Sequence, residues 1–228
     1  MLIYGHRGSS GTAPENTLAA FEQAIAEGAD GIEFDVQATA DGVPVVLHDR
    51  DVSRTTTGRG NVDELTLAEL RGFDAGQGQR VPTLEEVMDL TAGRVRLDVE
   101  LKQGGIERDV LDVLDRYPEA EWAISSFDWT ILATVRGLAP AAELWPLTVV
   151  LGENAVAFAR SIEATAIALR GDAVTREVVA RLGDAGLDLV VWTVNGVEDA
   201  RLAREMGVAV LITDVPGTIR RGLNNATG

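Results

Sequence analysis

Among the chain's 20 lysine and arginine residues only one is a lysine, Lys102, and it closes the run Asp98-Val99-Glu100-Leu101-Lys102. The two histidines are placed with the same economy: His6 opens His6-Arg7-Gly8 behind an apolar start, and His48 closes Val45-Val46-Leu47-His48-Asp49. Side chains alternate along a strand, so Glu33 and Asp35 share one face, as do Asp98, Glu100 and Lys102. If Glu33, Asp35 and Glu100 converge, three negative charges crowd one spot, which is unfavourable without a counter-charge. A hard divalent cation supplies it, and all-oxygen ligation favours Mg²⁺ or Ca²⁺ over zinc, with Mn²⁺ a further candidate. Arg7 can grip two phosphate oxygens in a planar fork and Lys102 offers a compact charge, a combination suited to an anionic phosphate ester. Two histidines flanking such a pocket fit general acid and base roles.

Groups so far apart in sequence need a fold that gathers strand ends. Apolar β-type runs at 2–4, 32–36, 95–101, 123–125, 144–149, 166–169, 189–194 and 208–212 alternate with helical patterns at 14–27, 84–91, 106–116, 129–137, 153–162, 174–185 and 197–206. Eight strands alternating with helices predict an α/β TIM (β/α)8 barrel, whose C-terminal strand ends form one mouth. Pro14 suits a first helical position and Gly28 the exit from the first helix. An open doubly wound sheet is disfavoured, because Gly5, Gly8 and Gly11 lack the spacing of a dinucleotide-binding turn. The stretch between the second strand and second helix, approximately 38–82, is an insertion at the mouth. Asp41-Gly42 is a hairpin signal; a turn centred between them pairs residues whose numbers sum to 83, setting His48 opposite Asp35.

A length of 228 residues with 46% hydrophobic content fits one domain over 1–228. A net charge of −16 disfavours nucleic acid and anionic membranes as partners, so an anionic small molecule must meet a local positive site. Without cysteine, disulfides, thiolate nucleophiles and cysteine-ligated metals are excluded. With no signal-like start and no apolar run of transmembrane length, the expected location is the cytoplasm, without stable membrane association. The oligomeric state is open.

The chain resembles the glycerophosphodiester phosphodiesterase family. The resemblance is carried in order by His6-Arg7-Gly8, Pro14-Glu15-Asn16-Thr17, Glu33-Phe34-Asp35-Val36, Asp41-Gly42 through His48-Asp49, Arg54-Thr55-Thr56-Thr57-Gly58, Leu65-Thr66-Leu67, Pro82-Thr83-Leu84-Glu85-Glu86, Glu100-Leu101-Lys102, Ser126-Phe127, Trp192-Thr193-Val194-Asn195 and Thr213-Asp214. It implies a phosphodiesterase barrel with metal on Glu33, Asp35 and Glu100, acid and base at His6 and His48, and phosphate on Arg7 and Lys102. The implied reaction belongs to lipid and glycerol metabolism: a glycerophosphodiester is cleaved to sn-glycerol 3-phosphate and an alcohol, through a cyclic phosphate or by direct attack of water. Phe127 and Trp192 match positions lining the substrate groove, and Asn16 either faces the mouth from the first helical turn or caps it. Trp122, Trp129 and Trp145 read as packing residues, and Asp214 as a cap on the terminal helical turn. The short segment Gln77–Arg80 points to an open mouth with little headgroup discrimination, and the short polar loop Arg170–Asp172 argues against a lipid-binding side to the pocket. Two rival readings are a lysophospholipase D-like lipid phosphodiesterase, which needs an apolar groove, and a non-catalytic phosphate-ester-binding barrel, which would be expected to lack one of these groups.

Overall fold

The computed structural model describes residues 1–225; the last three residues of the expected 1–228 domain lie outside the described residues. Strand β1 (Leu2–His6) runs parallel to β2 (Gly31–Ala38), and β3 (Pro44–Val46) folds back antiparallel on β2. β4 (Arg96–Leu101), β5 (Trp122–Ser126), β6 (Glu143–Thr148), β7 (Ala166–Arg170), β8 (Asp188–Trp192) and β9 (Val210–Thr213) follow. β4 pairs with β2, each later strand pairs parallel with the one before, and β9 returns to β1. The eight parallel strands therefore close a TIM (β/α)8 barrel, as expected.

Alternation along β2 explains both its stability and its chemistry. Every residue of the strand is buried. Ile32, Phe34 and Val36 face the helices and join Phe21, Ala24, Val87 and Met88 in the outer core. Glu33, Asp35 and Gln37 take the other face, towards the barrel axis and mouth. The barrel itself is filled below them by Tyr4, Ala123, Trp145, Leu147, Ala166, Ala168, Val190, Val210 and Ile212. Gly31 is needed here, because a Cβ at that position would overlap the Tyr4 ring.

Helices α1 (Leu18–Ala26), α2 (Leu67–Leu70), α3 (Leu84–Thr91), α4 (Glu107–Leu114), α5 (Trp129–Leu138), α6 (Glu153–Ser161), α7 (Arg176–Asp184), α8 (Val197–Glu205) and α9 (Pro216–Asn224) complete the described chain. Local chemistry sets several starts: Thr66 with Glu69 and Thr83 with Glu86 form reciprocal capping boxes on α2 and α3. The expected start of the first helix at Pro14 is wrong. Asn16 adopts φ 55°, which a helix cannot continue through, and the cap is Thr17, whose hydroxyl accepts from Ala20 N. Trp145 fills the barrel and Trp129 stacks on Phe158 with ring centroids 5.0 Å apart, both as packing residues.

The insertion carries a small core of its own, formed by Val45, Leu47, Val52, Val62, Leu70, Ala75 and Val81. Its hairpin exists, but the expected register is off by one. Gln37 faces Val45 and Val36 faces Val46, a sum of 82. The loop has three residues, Ala40 to Gly42, closed by Thr39 N to Val43 O, with Gly42 at φ 79°. Leu47, not His48, thus lies opposite Asp35, its N–H donating to Asp35 O. The last paired residue of β3 is Val46, and His48 is on irregular chain.

Candidate active site

The register Glu33↔Asp98 and Asp35↔Glu100 between β2 and β4 stacks four carboxylates at the mouth. One oxygen from each of Glu33, Asp35 and Glu100 falls within 4.8 Å of the others. Burial, with the Asp35 charge adding to it, lifts the Glu33 pKa to about 7 and that of Glu100 to about 8. Burial would raise Asp35 too, but Arg7, Lys102 and His48 outweigh it and hold its pKa below the ordinary value. Asp35 Oδ1 is buried and accepts no hydrogen bond. Three convergent, buried, hard oxygen donors that repel one another in the absence of a cation fit a divalent metal ion. Asp98 lies one step deeper, fully buried, with its pKa pushed well up by burial and by Glu33.

Arg7 directs its backbone N–H to Glu33 Oε2 at 3.0 Å and sets its side-chain Nε 3.2 Å from Asp35 Oδ2. Its φ of 54° forms the turn after β1 together with Gly8 at φ 82°, where a Cβ would press on the backbone of Ala20. Lys102 Nζ donates to Glu100 Oε1 at 2.7 Å and lies 3.5 Å from Asp35 Oδ1 and 6.0 Å from the Phe127 ring centre. Asn16 neither belongs to α1 nor caps it; its left-handed backbone sends Nδ2 to Asp35 Oδ2 at 2.8 Å.

The two histidines are held by analogous partners from different places. His6 Nδ1 donates to Asp214 Oδ1 at 2.6 Å, leaving Nε2 3.9 Å from Glu33. Burial opposes its protonation, yet Asp214 and Glu33 together raise its pKa. Asp214, which also accepts from Ser10 and Asn195, is held at about 2 even though burial acts the other way. It is no helix cap: α9 follows Val215 without a side-chain cap. His48 Nδ1 donates to Asp49 Oδ1 at 2.5 Å, and burial together with the Lys102 and Arg7 charges outweighs Asp35 and Asp49 to lower its pKa. Arg54 binds Asp49 and forks onto Glu15 at 2.8 Å from each oxygen, and Glu15 in turn binds Arg7.

His6, Arg7, Glu33, His48, Glu100 and Lys102 line one cleft, walled by Phe127 and Trp192. Those two rings meet edge to face, 5.4 Å apart at 88°. Nearly all the residues expected at the site are thus gathered along the cleft, with Asp35 and Asn16 buried at its wall. Gln77–Arg80 and Arg170–Asp172 do not line it. Sequence reasoning missed Asp214, Asp49, Arg54 and Glu15 as partners. Asp214 could have been found from barrel closure, since β9 is the strand next to β1 and Asp214 follows its last residue.

The family model for the glycerophosphoryl diester phosphodiesterase family matches residues 6–218. A glycerophosphodiester phosphodiesterase of Caldanaerobacter subterraneus subsp. tengcongensis is 38% identical, with 96% of this chain and 96% of that protein covered. One from Bacillus altitudinis is 35% identical, with 94% of each covered. Among solved structures, an Oleispira antarctica phosphodiesterase in complex with its product sn-glycerol 3-phosphate is similar with TM-score 0.94 and 28% identity, over 98% of this chain and 97% of that one. Among the described residues no helix is long and apolar enough to cross a membrane.

Proposed function

The chain belongs to the glycerophosphoryl diester phosphodiesterase family, and from this premise we propose that it hydrolyses glycerophosphodiesters to sn-glycerol 3-phosphate and an alcohol. The observation that carries the reading is the single cleft in which the buried Glu33, Asp35 and Glu100 meet both histidines, Arg7 and Lys102. Glu33, Asp35 and Glu100 would hold a divalent cation, Mg²⁺, Ca²⁺ or Mn²⁺. When bound, such an ion supplies Lewis-acid polarisation of a phosphoryl or attacking oxygen.

The chain's own groups do the rest. Arg7 and Lys102 bind the phosphate, the first as a planar fork and the second as a compact charge over Glu100. His6, with its pKa raised, protonates the leaving alcohol through Nε2, while the Asp214 carboxylate fixes the proton on Nδ1. His48, with its pKa lowered, is neutral at working pH and takes a proton from the attacking hydroxyl, whether of glycerol or of water. Phe127 and Trp192 pack against the apolar edge of the substrate. Product analysis tests the reading: glycerophosphocholine should yield sn-glycerol 3-phosphate and choline. Formation of phosphocholine and glycerol, or no turnover on any glycerophosphodiester, would reject it.

A further inference from the structure

Past Val46 the strand ladder ends, so the histidine of the insertion has no sheet to fix it. Leu47 N to Asp35 O is the last rung. From there the chain curls about a single side chain: Gln37, 3% exposed, donates its amide to the carbonyl oxygens of Leu47, His48 and Asp49 at 2.8, 3.1 and 2.9 Å. An amide nitrogen has two hydrogens, so three acceptors share two donors and the carbonyls must converge on one point. His48 is the middle residue of the three. The third carbonyl is that of Asp49, whose carboxylate holds the imidazole, so ring and ring partner depend on the same anchor. Gln37 lies two residues beyond Asp35 on the same face of β2. The strand that carries two of the clustered carboxylates therefore also grips the segment carrying His48.

We propose that Gln37 is a positioning residue for the reaction, fixing His48 at the cleft and so joining the insertion's part of the site to the barrel's. The alternative is that it merely closes the hairpin, and the two differ in what its loss moves. A buried carbonyl deprived of its donor can rotate towards water, and the residue between the freed carbonyls turns with it. Displacement of a reacting group by about 1 Å is enough to slow turnover on the order of 10²-fold.

The inference rests on the proposed function for its kinetic part, so the test has a readout that does not. With only two histidines in the chain, ¹H–¹³C spectra show two imidazole Cε1–H signals, assigned by His6→Ala. Gln37→Leu keeps the stem and removes the donors; Gln37→Asn keeps the amide but draws it back from the carbonyls. In both, the His48 signal should shift while that of His6 stays. The kcat for glycerophosphocholine should fall about 10–10²-fold, with KM and Mg²⁺ affinity within about threefold of wild type. An unmoved His48 signal with kcat within about twofold would overturn the proposal. So would joint movement of both signals with loss of metal affinity, or failure of both variants to fold, each marking general support of the mouth. Should His48→Ala turn over like wild type, the acid–base reading fails, while the spectra still decide whether Gln37 places the ring.

Discussion

The two histidines stand on opposite kinds of support. His6 ends β1, with Tyr4, Gly5 and His6 in register against β2 and the strand paired to β9 on its other side. Its carboxylate partner arrives from 208 residues away through closure of the barrel. His48 sits on irregular chain, partnered by its immediate neighbour and backed by an insertion with a separate apolar core. Burial opposes protonation of both rings and two carboxylates favour it at each; His6 is raised, whereas at His48 the Lys102 and Arg7 charges add to burial and its pKa is lowered. The proposed acid thus rests on the barrel and the proposed base on the insertion.

Removing either ring should have the largest effect. His6→Ala and His48→Ala are each expected to lose on the order of 10²–10⁴-fold in kcat by steady-state assay while retaining wild-type circular dichroism. A loss confined to one of them would break the symmetry of roles.

Lys102→Arg comes next. The ammonium is wedged between Glu100, Asp35 and the Phe127 ring, and the larger planar guanidinium cannot take that place. A fall of about 10–10²-fold in kcat/KM is expected, with melting temperature little changed; wild-type efficiency would show that only charge matters.

The carboxylate partners sharpen the comparison through pH. In the proposed roles His6 must be protonated, so activity should fall as pH rises through the His6 pKa, and Asp214→Asn, which removes a raising influence, should move this alkaline limb downward. His48, as the proposed base, must be neutral, so activity should fall as pH drops through the His48 pKa, and Asp49→Asn should move that acidic limb further down. One variant narrows the bell and the other widens it; identical profiles would mean the limbs belong to other groups.

A smaller and more selective effect is expected from Leu70→Ala, which opens a cavity in the insertion's core and costs about 2–5 kcal/mol where the site cannot collapse. Turnover should fall with loss of His48 order, while cation affinity, a property of β2 and β4, stays near wild type in calorimetric titration.

The same contrast explains what could be read in advance. The barrel strands were legible because their apolar runs are short and alternate with helical patterns; period two set Glu33 with Asp35, and Asp98 with Glu100 and Lys102, and barrel closure brought both sets to one mouth. The insertion was less so. Asp41-Gly42 signals a turn, but whether the loop holds two residues or three depends on Gly42 taking a left-handed conformation, and that moved the register by one. Asn16 interrupts what reads as a continuous helix for the same kind of reason. Asp214 escaped because nothing local marks it; only the meeting of β9 with β1 brings it to His6.

Cation binding to the barrel's carboxylates is the most direct test. Both Glu33 and Glu100 have folded pKa values, about 7 and about 8, above the ordinary 4.5. Each therefore favours the cation-free fold while protonated, and that contribution is lost as pH rises from about 4.5 through these values. A cation competes with the same protons. Titrating Mg²⁺, Ca²⁺ and Mn²⁺ separately into exhaustively chelated protein at pH 6 and pH 8, with turnover of glycerophosphocholine followed in parallel, should show binding that releases protons, tightens at the higher pH, disappears in Glu100→Gln and restores activity from background. Full turnover by chelated protein with no bound metal, or binding indifferent to pH and to Glu100→Gln, would contradict the assignment of these three carboxylates.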